Sequence, residues 1–218
     1  MKSGDFVYIE YVGRIKDSGE IFDLTDENIA KEKGIFNEKF KYKPVPVIIG
    51  SEFLIKGLNE ALEKMNVGER KTIEITPENA FGDRKPELIR LIPESRFKEQ
   101  DIEARPGNIV NVNNIRGRII SVDGGRIRVD FNHPLAGKTL EYDLKITKEI
   151  TDDKEKIQAI VYYFSSIEDV VVELKEDSAE ISIKVDIPRN SKEIMANTIL
   201  KWLKEIKKVI FKEEFENK

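Results

Sequence analysis

Residues 47–82, "VIIGSEFLIKGLNEALEKMNVGERKTIEITPENAFG", read as two strands around one short helix, and the fold turns on them. The run through Ile49 is apolar and β-branched and closes on Gly50, as a buried strand does. Leu58, Leu62 and Met65 then recur at helical spacing. The Asn-Val-Gly turn behind them stops the helix where glycine can adopt a left-handed conformation. "RKTIEI" follows as a strand and runs into a proline turn ending at Ala80, Phe81 and Gly82.

Upstream, "DFVYIEYVGRI" alternates Phe6 and Tyr8 against Val7 and Ile9, "KDSGE" supplies a hairpin turn, and "IFDL" begins the return strand. Residues 25–44 are polar and punctuated by glycine, which predicts a long loop with room for a short helix. Downstream of Arg84 the character changes. "PELIRLIPESRFKEQ" predicts a short strand with Pro93 opening a helical turn. "NIVNVNN", "RGRIISV" and "GRIRVDF" predict three more strands, the last two joined through "DGG". In "KTLEYDLKITKEI" Leu140, Tyr142, Leu144 and Ile146 share one face of a strand. The charged run "TKEITDDKEK" reads as a linker. Beyond it the pattern predicts an α-β-β-α unit: a helix on Ile157, Ile160, Val161 and Phe164, a hairpin about "EDSA", and one long amphipathic helix over 191–211.

Composition narrows the chemistry. The 218 residues suffice for two or three small domains. No stretch holds the eighteen or more apolar residues of a membrane span, and the N-terminus enters a strand pattern directly, so no signal peptide is expected. A chain with no cysteine suits the reducing cytoplasm. Its one histidine, His133, cannot make a histidine metal site alone, so no metal and no cofactor is expected. Charged residues make up 36% of the chain, yet the net charge is −4 and the signs are interleaved, which argues against a nucleic-acid surface. No phosphate loop, serine elbow or zinc spacing is present.

What the chain does hold is a set of aromatic and aliphatic residues beside turns, with one carboxylate among them. "VYIEYVGRIKDSGEIFD", the 47–82 stretch and "NHPLAGKTLEYDLKI", in that order, resemble the FKBP-type peptidyl-prolyl isomerases, in particular their long archaeal, SlyD-like form with an insert-in-flap (IF) chaperone domain. The resemblance implies an α+β fold. An antiparallel half-barrel wrapped on a short helix would occupy 1–84 and 131–150, a small β-rich IF domain 85–130, and an α-β-β-α domain 151–218. It also implies rotation about X-Pro bonds in an apolar pocket formed by Tyr11, Phe22, Asp23, Ile55, Phe81 and Tyr142, with Val45, Leu54 and Leu58 binding substrate. Asp23 and the Ile55 N–H would hold the peptide, Tyr11 orienting Asp23. Any one of these residues, taken alone, reads as ordinary core, and His133 reads as part of the bend where the chain returns from the insert.

The chemistry suits such a pocket. Amide resonance sets a barrier of about 18–20 kcal/mol, and water solvates the charge-separated planar amide best, so a dry pocket favours the twisted form without nucleophile or metal. Leu58 stands where many family members have Trp, Phe81 where Tyr is common, and Val45 where a large aromatic is frequent, so the pocket should be shallower. The expected partners are proline-containing peptides and unfolded proteins, with no nucleic acid and no membrane. A holdase with a weak or vestigial isomerase site is the alternative, and a scaffold built on the tail a third reading. The stripe of Ile194, Ile199, Trp202, Leu203, Ile206, Val209 and Ile210 suggests a homodimer through 151–218, since two strands offer few faces to cover it.

Overall fold

The computed structural model describes residues 1–99 and 101–212; residues 213–218, the end of the expected C-terminal domain, lie outside the described residues, as does Gln100 within the expected insert. The protein is mixed α+β, and its chain divides into two compact units, residues 1–75 with 140–218 and residues 76–139.

The first unit begins with β1 (Phe6–Ile15), a central strand buried on both faces, and turns through Gly19, at φ 68°, into β2 (Ile21–Leu24). The predicted short helix in the following loop is α1 (Glu27–Glu32), capped by Asp26, whose carboxylate accepts from the Asn28 and Ile29 N–H groups. β3 (Val45–Ile48) and α2 (Lys56–Glu63) follow, then β4 (Arg70–Ile75). Leu58, Leu62 and Met65 are buried, as their spacing predicts. Gly57 lets α2 approach β4, since a Cβ there would stand 2.4 Å from Ile75 Cγ2.

The second unit is a four-stranded antiparallel sheet. It is built from β5 (Ile89–Pro93), the single turn α3 (Ser95–Lys98), β6 (Ile109–Val112), β7 (Ile115–Asp123) and β8 (Arg126–Asp130), in the order β5-β8-β7-β6. The β7–β8 hairpin closes at Gly124 and Gly125, both with positive φ, as the "DGG" signal predicts. Phe97, Ile119, Ile127 and Val129 form its small core. Its two ends are clamped together by Asn132, whose side chain accepts from the Lys85 N–H at 2.8 Å and donates to the Lys85 carbonyl at 3.0 Å. Arg84 donates to Asp130 beside them. Burial works against the Asp130 charge, but bonds from Asn132 and Arg84 prevail and hold its carboxyl below the usual range.

The chain re-enters the first unit as β9 (Leu140–Ile150), which lies between β1 and β4, and the sheet order is β2-β1-β9-β4 with β3 also paired to β1, all antiparallel. α4 (Asp153–Ser165) starts under an Asp152 cap and ends at Ser166, φ 58°. β10 (Val170–Lys175), β11 (Ser178–Ile183) and α5 (Arg189–Trp202) come next. Here the structure departs from the sequence pattern. The helix predicted over 191–211 stops at Trp202, and β12 (Lys208–Lys212) pairs parallel with β11, so the unit is α-β-β-α-β. Val209, Ile210 and Phe211 suit a strand as well as a helix stripe, and β11 would otherwise leave an apolar edge unpaired. The Lys207 N–H, donating to the Asp177 carbonyl at 2.6 Å, sets the register.

Most of the stripe is covered within the chain. Ile199, Leu203 and Ile206 join one buried cluster with Ile157, Val172, Ile181 and Met195, and that cluster includes Phe6, Ile48 and Ile150 of the five-stranded sheet and its end. Val171, Val185 and Ile194 stay exposed. Among the described residues no helix is long and apolar enough to cross a membrane.

Candidate functional site

The site is assembled by strand register. Gly13 on β1 lies opposite Asp23 of β2 on one side and Tyr142 of β9 on the other, so a single strand position gathers three elements. Two residues earlier, and so on the same face of the strand, Tyr11 donates its hydroxyl to Asp23 Oδ2 at 2.7 Å. Tyr142 packs against Tyr11 at 5.8 Å between ring centroids and receives Phe22 edge-on at 5.6 Å. Tyr142 is buried and Asp23 exposed, so the carboxylate stands at the solvent side of an aromatic cluster.

Backbone bonds hold these side chains. The buried Thr25 hydroxyl accepts from the Tyr11 N–H at 2.8 Å and donates to the Tyr11 carbonyl at 3.2 Å, pinning the end of β2 to β1. The Tyr11 phenol is pushed well above its usual range, first by burial and next by the neighbouring Asp23 charge; burial and then Asp23 do the same to Tyr142. Both phenols therefore remain neutral and the Tyr11 hydroxyl remains a donor across the physiological range.

Across the unit, α2 presents Leu58, buried, and its N-cap residue Ile55, half-buried with extended backbone (φ −62°, ψ 149°). Among the described residues the Ile55 N–H has no acceptor within the chain. Asn59, one turn along, organises the segment before it. Its side chain accepts from the Gly50 N–H at 2.7 Å and donates to the Ser51 and Leu54 carbonyls at 2.9 and 3.3 Å. Leu54 is half-buried in an apolar seam with Phe6, Pro46, Ile160 and Phe164. Val45 is half-buried in β3, paired with Ile9.

Phe81 belongs to the second unit, where its ring stacks on His133 at 4.0 Å and an interplanar angle of 6°. His133 Nδ1 accepts from the Leu135 N–H and its carbonyl from the Ala136 N–H, so the histidine shapes a bend, as expected. Among the described residues no group of His, Cys, Asp or Glu side chains is arranged to hold a metal ion.

Four residues at the site escaped the sequence reading. Gly13 is one: a Cβ there would come within 2.7 Å of the Phe22 ring and 3.1 Å of the Tyr142 ring. A glycine inside an alternating strand is the signal that could have exposed it. Thr25 and Asn59 carry no such signal. The fourth, Tyr163 on α4, stood in an aromatic triplet, Tyr162-Tyr163-Phe164, that reads as helix core.

Comparison with known proteins bears on this arrangement. Residues 90–135 match the family model described as "FKBP26, IF domain". A "short-type peptidyl-prolyl cis-trans isomerase" of Methanocaldococcus jannaschii is 37% identical over 146 residues, which is 67% of this chain and 92% of that protein. The "FKBP-type peptidyl-prolyl cis-trans isomerase SlyD" of Helicobacter pylori is 31% identical over 151 residues, 67% of this chain and 74% of its own. A "probable FKBP-type 16 kDa peptidyl-prolyl cis-trans isomerase" of Pseudomonas fluorescens is 36% identical over 112 residues, 49% of this chain and 73% of that protein.

Proposed function

Because the chain belongs to the FKBP-type peptidyl-prolyl cis-trans isomerases and carries their IF domain, we propose that it turns X-Pro bonds of unfolded proteins in the recess beneath Asp23, while the insert holds the client. The observation that carries this reading is the Tyr11–Asp23 bond at the mouth of the Phe22 and Tyr142 rings. A prolyl ring entering the recess would leave water behind, which removes the solvation favouring the planar amide and lowers the barrier to the twisted form. Asp23, held in place by Tyr11, and the Ile55 N–H would grip the peptide on either side. Phe22 and Tyr142 would wall the recess, with Leu58 as its floor and Val45 and Leu54 at its margin.

In this reading residues 1–84 and 131–150 are the isomerase domain, a half-barrel wrapped on α2; residues 85–130 are the insert; residues 151–218 are a C-terminal domain. Leu91, Ile109, Ile115 and Ile120 are exposed on the insert's sheet, which supports a client-holding role. The exposed Val171, Val185 and Ile194 support a two-fold homodimer through the C-terminal domain. The cytoplasm is its proposed compartment, since a cysteine-free chain has no disulfide to lose there.

Two variants test the proposal. Asp23→Ala removes an exposed carboxylate and should cut isomerisation of a proline tetrapeptide at least tenfold with the fold retained. Replacing residues 86–129 by a short glycine-containing loop should spare the tetrapeptide reaction but slow proline-limited refolding, because the tethered client no longer returns its prolines to the site. An Asp23→Ala protein as fast as the parent would remove Asp23 from the site. Loss on both substrates in the loop variant would make the insert a folding element instead.

A further inference from the structure

Helix α4, which follows β9, reaches the segment that leads into Ile55. Tyr163 donates its hydroxyl to the Phe53 carbonyl at 3.3 Å. The Phe53 ring lies edge-on to Phe164 at 4.9 Å and tilted against Tyr163 at 5.8 Å. Phe53 and Leu54 also share the apolar seam with Ala159 and Ile160 of the same helix. Residues 51–55 contain no strand and only turn structure, so they are held from two sides: by Asn59 of α2 within the sheet domain, and by α4 from outside it. Tyr163 itself is 37% exposed, so it stands at an open rim.

We propose that Tyr163 is a positioning residue of the isomerase site: by tying the Phe53 carbonyl to α4 it fixes the turn that presents the Ile55 N–H, and so sets how tightly a peptide is held. The inference rests on the reading of Ile55 as a peptide-binding donor. The phenol of Tyr163 is also a minor contributor among the groups that disfavour Tyr11 ionisation, after burial and Asp23. The physical logic is preorganisation. A donor at the first turn of α2 grips a carbonyl only in one orientation, and a loop free to rock spends binding energy on ordering itself. The rotation step, driven by the dry recess, does not depend on that bond. Loss of the hydroxyl should therefore appear in KM and leave kcat alone.

The test is Tyr163→Phe in the full-length chain, with tetrapeptide exchange followed by NMR across peptide concentrations. The rings and their packing stay, so the thermal midpoint should fall only by the about 1–6 °C that one net hydrogen bond is worth. KM should rise about two- to tenfold, the equivalent of one net hydrogen bond, with kcat unchanged. Tyr162→Phe, on the next residue and packed under Lys43 instead, should behave as the parent. Parental KM in Tyr163→Phe, or a fall in kcat without change in KM, overturns the proposal. Asp23→Ala in the same assay separates the two claims: if it is impaired while Tyr163→Phe is not, only the positioning role falls. If neither differs from the parent, the site reading falls with it.

Discussion

Replacing Gly13 with alanine probes the recess from beneath, without touching a group that could bind substrate. Gly13 lies within β1 and does not have a positive φ, so alanine meets no left-handed backbone barrier and the added methyl acts through space. That methyl would stand 2.7 and 2.9 Å from Phe22 Cζ and Cε2 and 3.1 Å from Tyr142 Cε1. Both rings must retreat by several tenths of an ångström or the strands must part. Overpacking of this kind costs about 1–3 kcal/mol, and removing a glycine from the unfolded chain returns about 0.4–1 kcal/mol, so the net loss is about 0–2.6 kcal/mol. At about 2–4 °C per kcal/mol for a chain of this size, the thermal midpoint falls by at most about 10 °C. Activity should fall further than stability, because Phe22 and Tyr142 are the walls that move. The assay pairs tetrapeptide exchange with calorimetry: kcat/KM should drop at least tenfold at a temperature where the variant is fully folded. Parental kcat/KM in Gly13→Ala would refute the argument that these two rings form the working surface.

Two further expectations follow from the same geometry. Tyr11 and Tyr142 both ionise above the usual phenol range in the folded state, whereas unfolded phenols ionise near pH 10. Their contribution to stability is therefore fully present below about pH 10 and is lost as pH rises beyond it, when only the unfolded chain gives up protons. Urea midpoints should decline less steeply above pH 10 in Tyr142→Phe than in the parent, and equal slopes would contradict the assignment. For the proposed dimer, light scattering on the full chain at micromolar concentration should give twice the chain mass, and Val171→Glu, on the exposed face of β10, should halve it; one-copy mass in the parent ends that proposal.

Elements with local causes are legible in the sequence. "DGG" closes a hairpin because glycine tolerates the backbone it needs, and Leu58, Leu62 and Met65 are buried at the helical spacing that marks them as core. The ordered motif points to the aromatic set around Asp23, and strand register brings Tyr11, Phe22, Asp23 and Tyr142 together. Long-range partners decided the rest. Val209, Ile210 and Phe211 satisfy a helical stripe and a strand equally, and only the open edge of β11 makes them a strand. Tyr163 looks like core in any helical pattern. Its bond to Phe53, 110 residues earlier in the chain, exists because α4 docks on β3 through a buried cluster running from Phe6 to Ile206. Periodicity tells which side of a helix is apolar. The surface it meets is chosen by whichever buried face remains uncovered elsewhere in the chain, and no local pattern records that.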